Sequence, residues 1–322
     1  MRISFTLLLS SFIAVSAMAQ QATQYSLYML NPFAFNPAYA GYDNSLSLTG
    51  VYRNQWVGLE GAPQTSSLNA HAPLYIIGGG AGISMESENI GSWKQTAVFG
   101  SYAYALPLSS GNLSLGLSAG FLQRELDGAS VRAPGTIFDD EGNPIDHQDP
   151  ILTTGIHSGA GMAFNAGVFY RSGNLDAGLS VLNLSETTID MGDIRFKPDR
   201  TFFAYLRYRL RLTDDFQVEP AVLMKSTGEQ TQADFSTLVR FRENIFAGVT
   251  YRGYNSETQD AIVILTGIKL SEKLSLGYAF DMTRSSLNTV SNGTHEILLN
   301  YNLNKPIGQG RPPVIIYNPR SL

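Results

Sequence analysis

The sequence predicts an all-β fold: a transmembrane antiparallel β-barrel of about 14 strands, preceded by an N-terminal plug-like segment. Two observations predict the barrel. First, fourteen short segments with alternating apolar and polar residues run from Ser45 to Leu303, and a segment of about 10 residues suits a tilted strand that crosses a bilayer. Second, the gaps between the segments alternate between short and long, as in bacterial barrels with short periplasmic turns and longer outer loops.

The gap lengths also predict the orientation of the barrel. The short gaps follow even-numbered segments, and the long gaps follow odd-numbered ones. The short gaps are Pro107–Asn112, Arg171–Asn174, Leu212–Asp215, Arg242–Asn244 and Leu270–Lys273. The long gaps are Glu86–Gly91, Asp127–Ser158, Ser185–Arg200 and Thr283–Gly293. An even number of strands brings both barrel ends to one side of the membrane, which we predict to be the periplasmic side of an outer membrane.

The alternation is clearest in Thr201–Leu212. Its apolar face suits lipid, and its other face, which carries Arg207, Arg209 and Arg211, suits the lumen. The predicted strands, in order, are Ser45–Trp56, Gln64–Ala72, Gly79–Met85, Ser92–Leu106, Leu113–Leu126, Gly159–Tyr170, Leu175–Leu184, Thr201–Leu212, Phe216–Ser226, Thr231–Phe241, Ile245–Gly253, Ala261–Leu270, Leu274–Met282 and Thr294–Leu303. A propeller built from similar strands is disfavoured, because no repeat of about 40 residues is present.

The composition agrees with a barrel and excludes other classes. The 322 residues carry a net charge of −5 and include no cysteine, and the mean hydropathy is −0.05. No run of about 18 apolar residues follows the N-terminal leader, so no transmembrane helix is predicted. An acidic chain without a basic stripe is a poor candidate for binding nucleic acid.

Residues 1–19 have the features of a secretory signal peptide. Arg2 is a short positive region, Phe5–Val15 is apolar, and Ala17-Met18-Ala19 forms a cleavage site, which places the mature N-terminus at Gln20. An exported chain without cysteine suits a closed barrel, because every strand is paired and no disulfide is needed.

The segment 20–44 lacks strand alternation and is rich in aromatic residues. Two Asn-Pro pairs favour turns, and the nearest place to bury the aromatic side chains is the barrel lumen. The motif residues of this segment are Gln24, Tyr25, Tyr28, Asn31, Asn36, Pro37 and Gly41, and a second block in the first strand carries Arg53, Gln55 and Trp56.

These blocks make the chain similar to the PorP/SprF family of outer-membrane proteins of the Bacteroidota. The resemblance implies a role in type IX secretion as the partner of a large adhesin-like cargo whose C-terminal signal is of type B. It implies that the protein supports secretion or surface anchoring of that cargo, with links to gliding motility and to other type IX components. We expect membrane lipid to surround the barrel.

Each motif also has a purely structural interpretation. The segment 20–44 either contacts cargo or gates the lumen, or it fills and braces the barrel. Arg53, Gln55 and Trp56 either contact the partner or close the fold with hydrogen bonds and an interfacial tryptophan. The positive stripe of Arg207, Arg209 and Arg211 either pairs with luminal acids or lines a path for peptide or ions.

Little in the sequence points to catalysis or to a cofactor. The four histidines are scattered, no catalytic fingerprint is present, and we predict no enzyme activity, no cofactor and no catalytic residue. Asp139, Glu141, Asn143 and Asp146 are spaced faintly like calcium ligands, but the glycine and the final glutamate are misplaced, so no metal site is predicted. The alternative function is a FadL-like channel for hydrophobic small molecules.

Residues 304–322 are predicted to form a periplasmic tail. Prolines flank Val314–Tyr317, four residues with high β propensity, and isolate them as an extended piece. This piece either adds as a strand to a partner or is loosely ordered.

The alternating gap lengths generate a test of topology. An epitope inserted beside Glu141, in the loop that follows the fifth strand, should be labelled on intact cells because this loop is predicted to lie outside. Labelling only after lysis would mean that the topology is inverted or that the strand count is off by one.

Overall fold

The computed structural model describes residues 23–74, 78–131, 136–142, 144–147, 153–254 and 260–305. The predicted signal peptide, almost all of the predicted tail and parts of the 127–158 loop lie outside these residues.

Fourteen antiparallel strands form a closed barrel, as the alternation predicts. They are β1 Ser47–Asn54, β2 Gln64–Leu74, β3 Gly79–Ile90, β4 Trp93–Leu108, β5 Gly111–Asp127, β6 Ile156–Ser172, β7 Leu175–Leu182, β8 Thr201–Tyr208, β9 Phe216–Ser226, β10 Thr231–Phe241, β11 Ile245–Arg252, β12 Ala261–Lys269, β13 Leu274–Thr283 and β14 Thr294–Asn302. The pair Leu210–Arg211 extends β8 beyond Arg209 and continues to pair with β9.

The barrel closes between its first and last strands. Ser47 of β1 lies opposite His71 of β2 on one side and opposite Asn302 of β14 on the other. Every barrel strand therefore has two neighbours, so the barrel sheet itself has no free edge in the described residues. The turns after even-numbered strands lie at one end of the barrel, called here the short-turn end, and the other end is the long-loop end.

Side chains alternate between the lumen and the outside. In β8 the residues Thr201, Phe203 and Tyr205 are buried, whereas Phe202 and Leu206 are about half exposed, at 50% and 49%. The same pattern gives the other strands an outer face of exposed leucine, isoleucine, valine and phenylalanine. Such a face suits contact with lipid chains.

One predicted gap is wrong. The structure places most of Glu86–Gly91 inside β3, which pairs with β4 as far as Ile90 opposite Trp93. The two strands are joined by a two-residue turn, in which Gly91 has a φ of +56°. The sequence obscured this strand because Ser87 and Asn89, on its outer face, are as polar as the luminal residues between them.

Two small hairpins lie in the long loops. One pairs Ile137–Phe138 with Pro144–Asp146, and the other pairs Ile189–Met191 with Ile194–Phe196. The second hairpin folds inward, because Ile189, Met191 and Phe196 are buried against the inward-facing alanines and leucine of β4 to β6. This hairpin therefore covers part of the long-loop end. Among the described residues, no helix has the length and apolar character to cross a membrane.

The outer face generates a test. Ile264 lies near the middle of β12 and is 50% exposed, so Ile264→Arg would place a guanidinium in the hydrocarbon layer and should lower the free energy of unfolding by about 2–4 kcal/mol. The control is Leu212→Arg, just beyond the end of β8, where the change should be at most about 1 kcal/mol. Equal losses in urea unfolding from lipid vesicles would contradict the assignment of this face to lipid.

Candidate functional site

The described part of the N-terminal segment, residues 23–44, crosses the barrel from one end to the other. Near the long-loop end, the Thr23 hydroxyl donates to Glu86 of β3 at 2.6 Å. Near the short-turn end, the Tyr42 hydroxyl donates to the carbonyl of Asn112 at 2.6 Å. Three short 3₁₀ turns, Tyr28–Leu30, Pro32–Ala34 and Pro37–Tyr39, shape the path between these contacts.

The second Asn-Pro pair fixes the segment to the barrel wall. Asn36 caps the following turn, because its side-chain oxygen accepts from the amide of Ala38 at 2.9 Å. The side-chain nitrogen donates to the carbonyl of Val168 in β6 at 3.0 Å. This approach requires glycine in the wall, since a Cβ on Gly167 would lie 2.1 Å from the Asn36 oxygen. Asn36 and Pro37 thus have a structural role in seating the segment.

The aromatic residues of the segment form the largest apolar core. Phe35 stacks on Phe203 with ring centroids 5.8 Å apart, and Tyr39 packs edge-on against Phe169 at 5.0 Å. The buried side chains contributed by the segment are Leu27, Tyr28, Met29, Phe33, Phe35, Ala38, Tyr39 and Ala40. Burial of a large apolar side chain contributes about 1.5–3 kcal/mol, so this core accounts for much of the attachment of the segment.

A glutamate of the last strand binds two consecutive backbone amides of the segment. The carboxylate of Glu296 accepts from the amide of Ser26 at 2.7 Å and from that of Leu27 at 2.8 Å. Arg53 of β1 balances its charge, with 3.0 Å between the two side chains. All of these groups are buried, and buried amides without an acceptor are strongly disfavoured.

The same cluster continues around the Ser26 hydroxyl, which donates to Asp281 at 2.8 Å. Its oxygen accepts from Arg53 at 2.9 Å and from Arg252 at 3.0 Å. Arg252 also bridges Asp281 at 2.6 Å and Asp234 at 3.2 Å. Arg53, Arg252, Asp281 and Glu296 are therefore grouped around one serine of the N-terminal segment.

A second charged cluster lies near the short-turn end and includes two residues of the predicted positive stripe. The carboxylate of Asp176 in β7 forms a salt bridge with Arg207 at 2.5 Å, and it forms another with Arg209. Arg207 donates in addition to the carbonyl of Met29 at 3.0 Å. Arg211 lies exposed at the end of its strand. The structure thus brings Arg207 and Arg209 together on one carboxylate and leaves Arg211 outside.

Other motif residues of the segment lie inside the lumen. The Tyr25 hydroxyl donates to Glu86, and burial raises the pKa of Tyr25. The Tyr28 hydroxyl donates to Ser236 at 2.8 Å. Asn31 is buried, and its side-chain nitrogen has no hydrogen-bond partner among the described residues.

The glycine of the motif, Gly41, lies where the segment comes very close to the backbone of the barrel wall. Gly41 has a φ of +78°, a conformation that favours glycine. Its amide donates to the ring of His71 at 3.2 Å, and a Cβ would lie 2.6 Å from the Cα of Gly80. Any larger residue would push the segment off the wall here.

The residues after β1 frame a chamber at the long-loop end. Its volume is 490 Å³, and Gln24, Arg53, Gln55 and Trp56 are among the residues that line it. Trp56 has a φ of +49°, which is unusual for a tryptophan, and its amide donates to the Thr294 hydroxyl at 3.1 Å. The structure therefore groups the second motif block at the mouth of the lumen.

Sequence reasoning missed Asp176, Asp281 and Glu296, which hold the segment. The alternation in their strands places all three on the luminal face, so their burial could have been predicted. Their arginine partners on neighbouring strands follow from the strand register, since Arg207 lies opposite Asp176 and Arg53 lies opposite Glu296. The contacts with the segment could not be predicted, because the segment has no regular period. No three His, Cys, Asp or Glu side chains form a metal-binding group in the described ranges, and Asn143 lies outside them.

Comparison with known proteins identifies a family to which this chain is similar. A family model described as "Type IX secretion system membrane protein PorP/SprF" matches residues 17–301. Among curated proteins, none matches the chain.

Similar solved structures are outer-membrane barrels of low identity. Omp33 of Acinetobacter baumannii is 9% identical with a TM-score of 0.44, over 80% of this chain and 96% of that one. A Pseudomonas aeruginosa FadL homologue is 10% identical with a TM-score of 0.48, over 83% and 92%. The Pseudomonas putida toluene transporter TodX is 11% identical with a TM-score of 0.43, over 87% and 93%. Identities this low give no information on function.

The carboxylate that binds the segment generates a test. Glu296→Gln replaces one acceptor oxygen with a donor and leaves Arg53 incompletely paired, so residues 23–44 should be released more often. The measurement is cleavage by chymotrypsin, because the segment is rich in tyrosine and phenylalanine and has no lysine or arginine. Faster cleavage is expected in the variant, whereas Glu272→Gln, an exposed carboxylate in a short turn, should behave as the parent. Equal protection in all three would show that the segment does not depend on Glu296.

Proposed function

Because the chain belongs to the PorP/SprF family of type IX secretion membrane proteins, we propose that this outer-membrane barrel is the dedicated partner of a large adhesin-like cargo. It supports secretion or surface anchoring of that cargo, whose C-terminal signal is of type B, and thereby contributes to gliding motility. The observation that carries the proposal, beyond the family, is a lumen occupied by the chain's own N-terminal segment. A barrel filled in this way offers a binding surface and no wide passage.

In this proposal, residues 20–44 of the processed chain act as a plug, and residues 45–303 form the barrel. The long-loop end faces outward, and the start of the first barrel strand and the end of the last one are both periplasmic, which agrees with loop length in bacterial barrels. The two charged clusters then brace the plug at both mouths. No enzymatic role is proposed, since the chain's described site consists of paired charges and packed aromatic side chains.

The hydrophobic-channel alternative is less well supported. A channel of that kind needs an apolar route, whereas the luminal residues at both ends include buried clusters of arginine with aspartate and glutamate. Asp281 and Asp176 each bind more than one arginine, which makes a greasy path through these layers unfavourable.

The proposal is tested by deletion of the gene. Surface display of one large adhesin-like protein should be lost while other type IX cargo continues to be exported, because a dedicated partner serves one substrate. The measurement is mass spectrometry of surface-shaved and secreted proteins, with complementation by the wild-type gene as the control. Loss of all type IX cargo, or of none, would contradict a dedicated role, and affinity purification from native membranes would identify the cargo as a co-purifying chain.

A further inference from the structure

The chamber at the long-loop end has the dimensions of a binding site. Its 490 Å³ is within the range of about 300–1,000 Å³ that ligand pockets occupy. Thr23 and Gln24, at the beginning of the described segment, form part of its lining. The chamber is therefore a recess above the segment, and the luminal cluster around Ser26 lies beneath it.

The arginines that line the chamber are already neutralised. Arg53 binds Asp281 at 2.8 Å and Glu296 at 3.0 Å. Arg252 binds Asp281 at 2.6 Å and Asp234 at 3.2 Å. These two cations and three carboxylates leave no positive charge to attract an anion.

Two other carboxylates of the lining have only neutral hydrogen-bond donors among the described contacts. Glu88 accepts from the Thr65 hydroxyl at 3.2 Å. Asp260 accepts from the side-chain amide of Gln232 at 2.6 Å. The chamber wall thus carries two carboxyl groups without a cationic hydrogen-bond donor in the described part of the chain.

Two nearby cations act on Glu88 only at longer range. Arg124 and Lys225 interact with it electrostatically, but neither forms a salt bridge with it within 4.0 Å in the described structure. The Arg124 guanidinium instead stacks on Phe196 at 3.8 Å and donates to Gln95 at 3.2 Å. The carboxylate of Glu88 therefore remains available for a cation that enters the chamber.

Apolar side chains accompany the carboxylates. Trp56, Ile90 and Leu287 contribute to the same lining. Lysine and arginine bury their methylene stems on apolar surfaces and keep the charge beside acids, and an indole ring attracts cations. Trp56 is held in its unusual conformation by the Thr294 hydroxyl and by the amide of Val57, which donates to Gly293 at 2.8 Å.

We propose that this chamber binds a lysine or arginine side chain on an extended segment of the secreted cargo, with Glu88 and Asp260 as its anionic partners. The inference rests on the proposed function, because the cargo supplies the polypeptide. It places the cargo contact at the long-loop end of the barrel. It also predicts that the cargo contributes a cationic residue to this contact.

The test uses the purified full-length barrel in detergent and two fluorescent, end-blocked pentapeptides, Gly-Lys-Leu-Lys-Gly and Gly-Glu-Leu-Glu-Gly. The lysine peptide should bind more tightly, and its affinity should fall with added salt. The double variant Glu88→Gln, Asp260→Asn should weaken its binding by about tenfold, because it removes both acidic partners of the lysine side chain. Glu141→Gln, an exposed carboxylate in an outer loop, is the matched control and should bind as the parent.

Heat-modifiable migration in gels verifies that each variant is a folded barrel. Equal affinity for the two peptides, or unchanged binding by the folded double variant, would overturn the inference. Normal cargo display in cells carrying the double variant would also overturn it, while loss of display on gene deletion would still support the proposed function. Failure of the deletion to affect any cargo would instead contradict the proposed function itself.

Discussion

Every peptide group that enters the barrel must find a hydrogen-bond partner there, and this requirement governs how the lumen is built. The fourteen strands satisfy one another, but the N-terminal segment has only 3₁₀ turns, which leave many of its amides open. The carboxylate of Glu296 accepts hydrogen bonds from the open amides of Ser26 and Leu27. A buried carboxylate is itself unfavourable unless it is paired, so Arg53 is required, and Arg53 in turn requires Asp281.

The two charged clusters follow the same logic at opposite ends of the lumen. At the long-loop end the side chains converge on Ser26, and at the short-turn end Arg207 joins Asp176 to the carbonyl of Met29. Buried ion pairs add little net stability compared with apolar packing, but the loss of one member leaves an uncompensated charge. The clusters bind the segment at defined backbone groups, through the amides of Ser26 and Leu27 at one end and the carbonyl of Met29 at the other.

The strands were predictable because lipid and lumen impose opposite polarity on neighbouring residues. That constraint weakens outside the lipid layer, which is why Ser87 and Asn89 concealed the end of β3. The segment could be recognised by its aromatic residues and its Asn-Pro pairs, and its entry into the lumen follows from their need for burial. The pairs Ser26 with Glu296 and Asn36 with Val168 could not be predicted, because they depend on the diameter of the barrel and on a path without a period.

The seam between β1 and β14 has a consequence for biogenesis. Two of the side chains that contact Ser26 come from either side of this seam, Arg53 from the first strand and Glu296 from the last. Ser26 and Glu296 are 270 positions apart in the chain. The Glu296 carboxylate, which binds this N-terminal segment, is therefore not available until almost the whole polypeptide has been exported. Contacts of such long sequence separation form late and slowly. A barrel that closed without the segment would still pair Arg53 with Asp281 and Glu296, but the Glu296 carboxylate would lack the two amides that donate to it. Closure of the β1–β14 seam therefore completes the binding site for Ser26 at the place where the first and last strands meet.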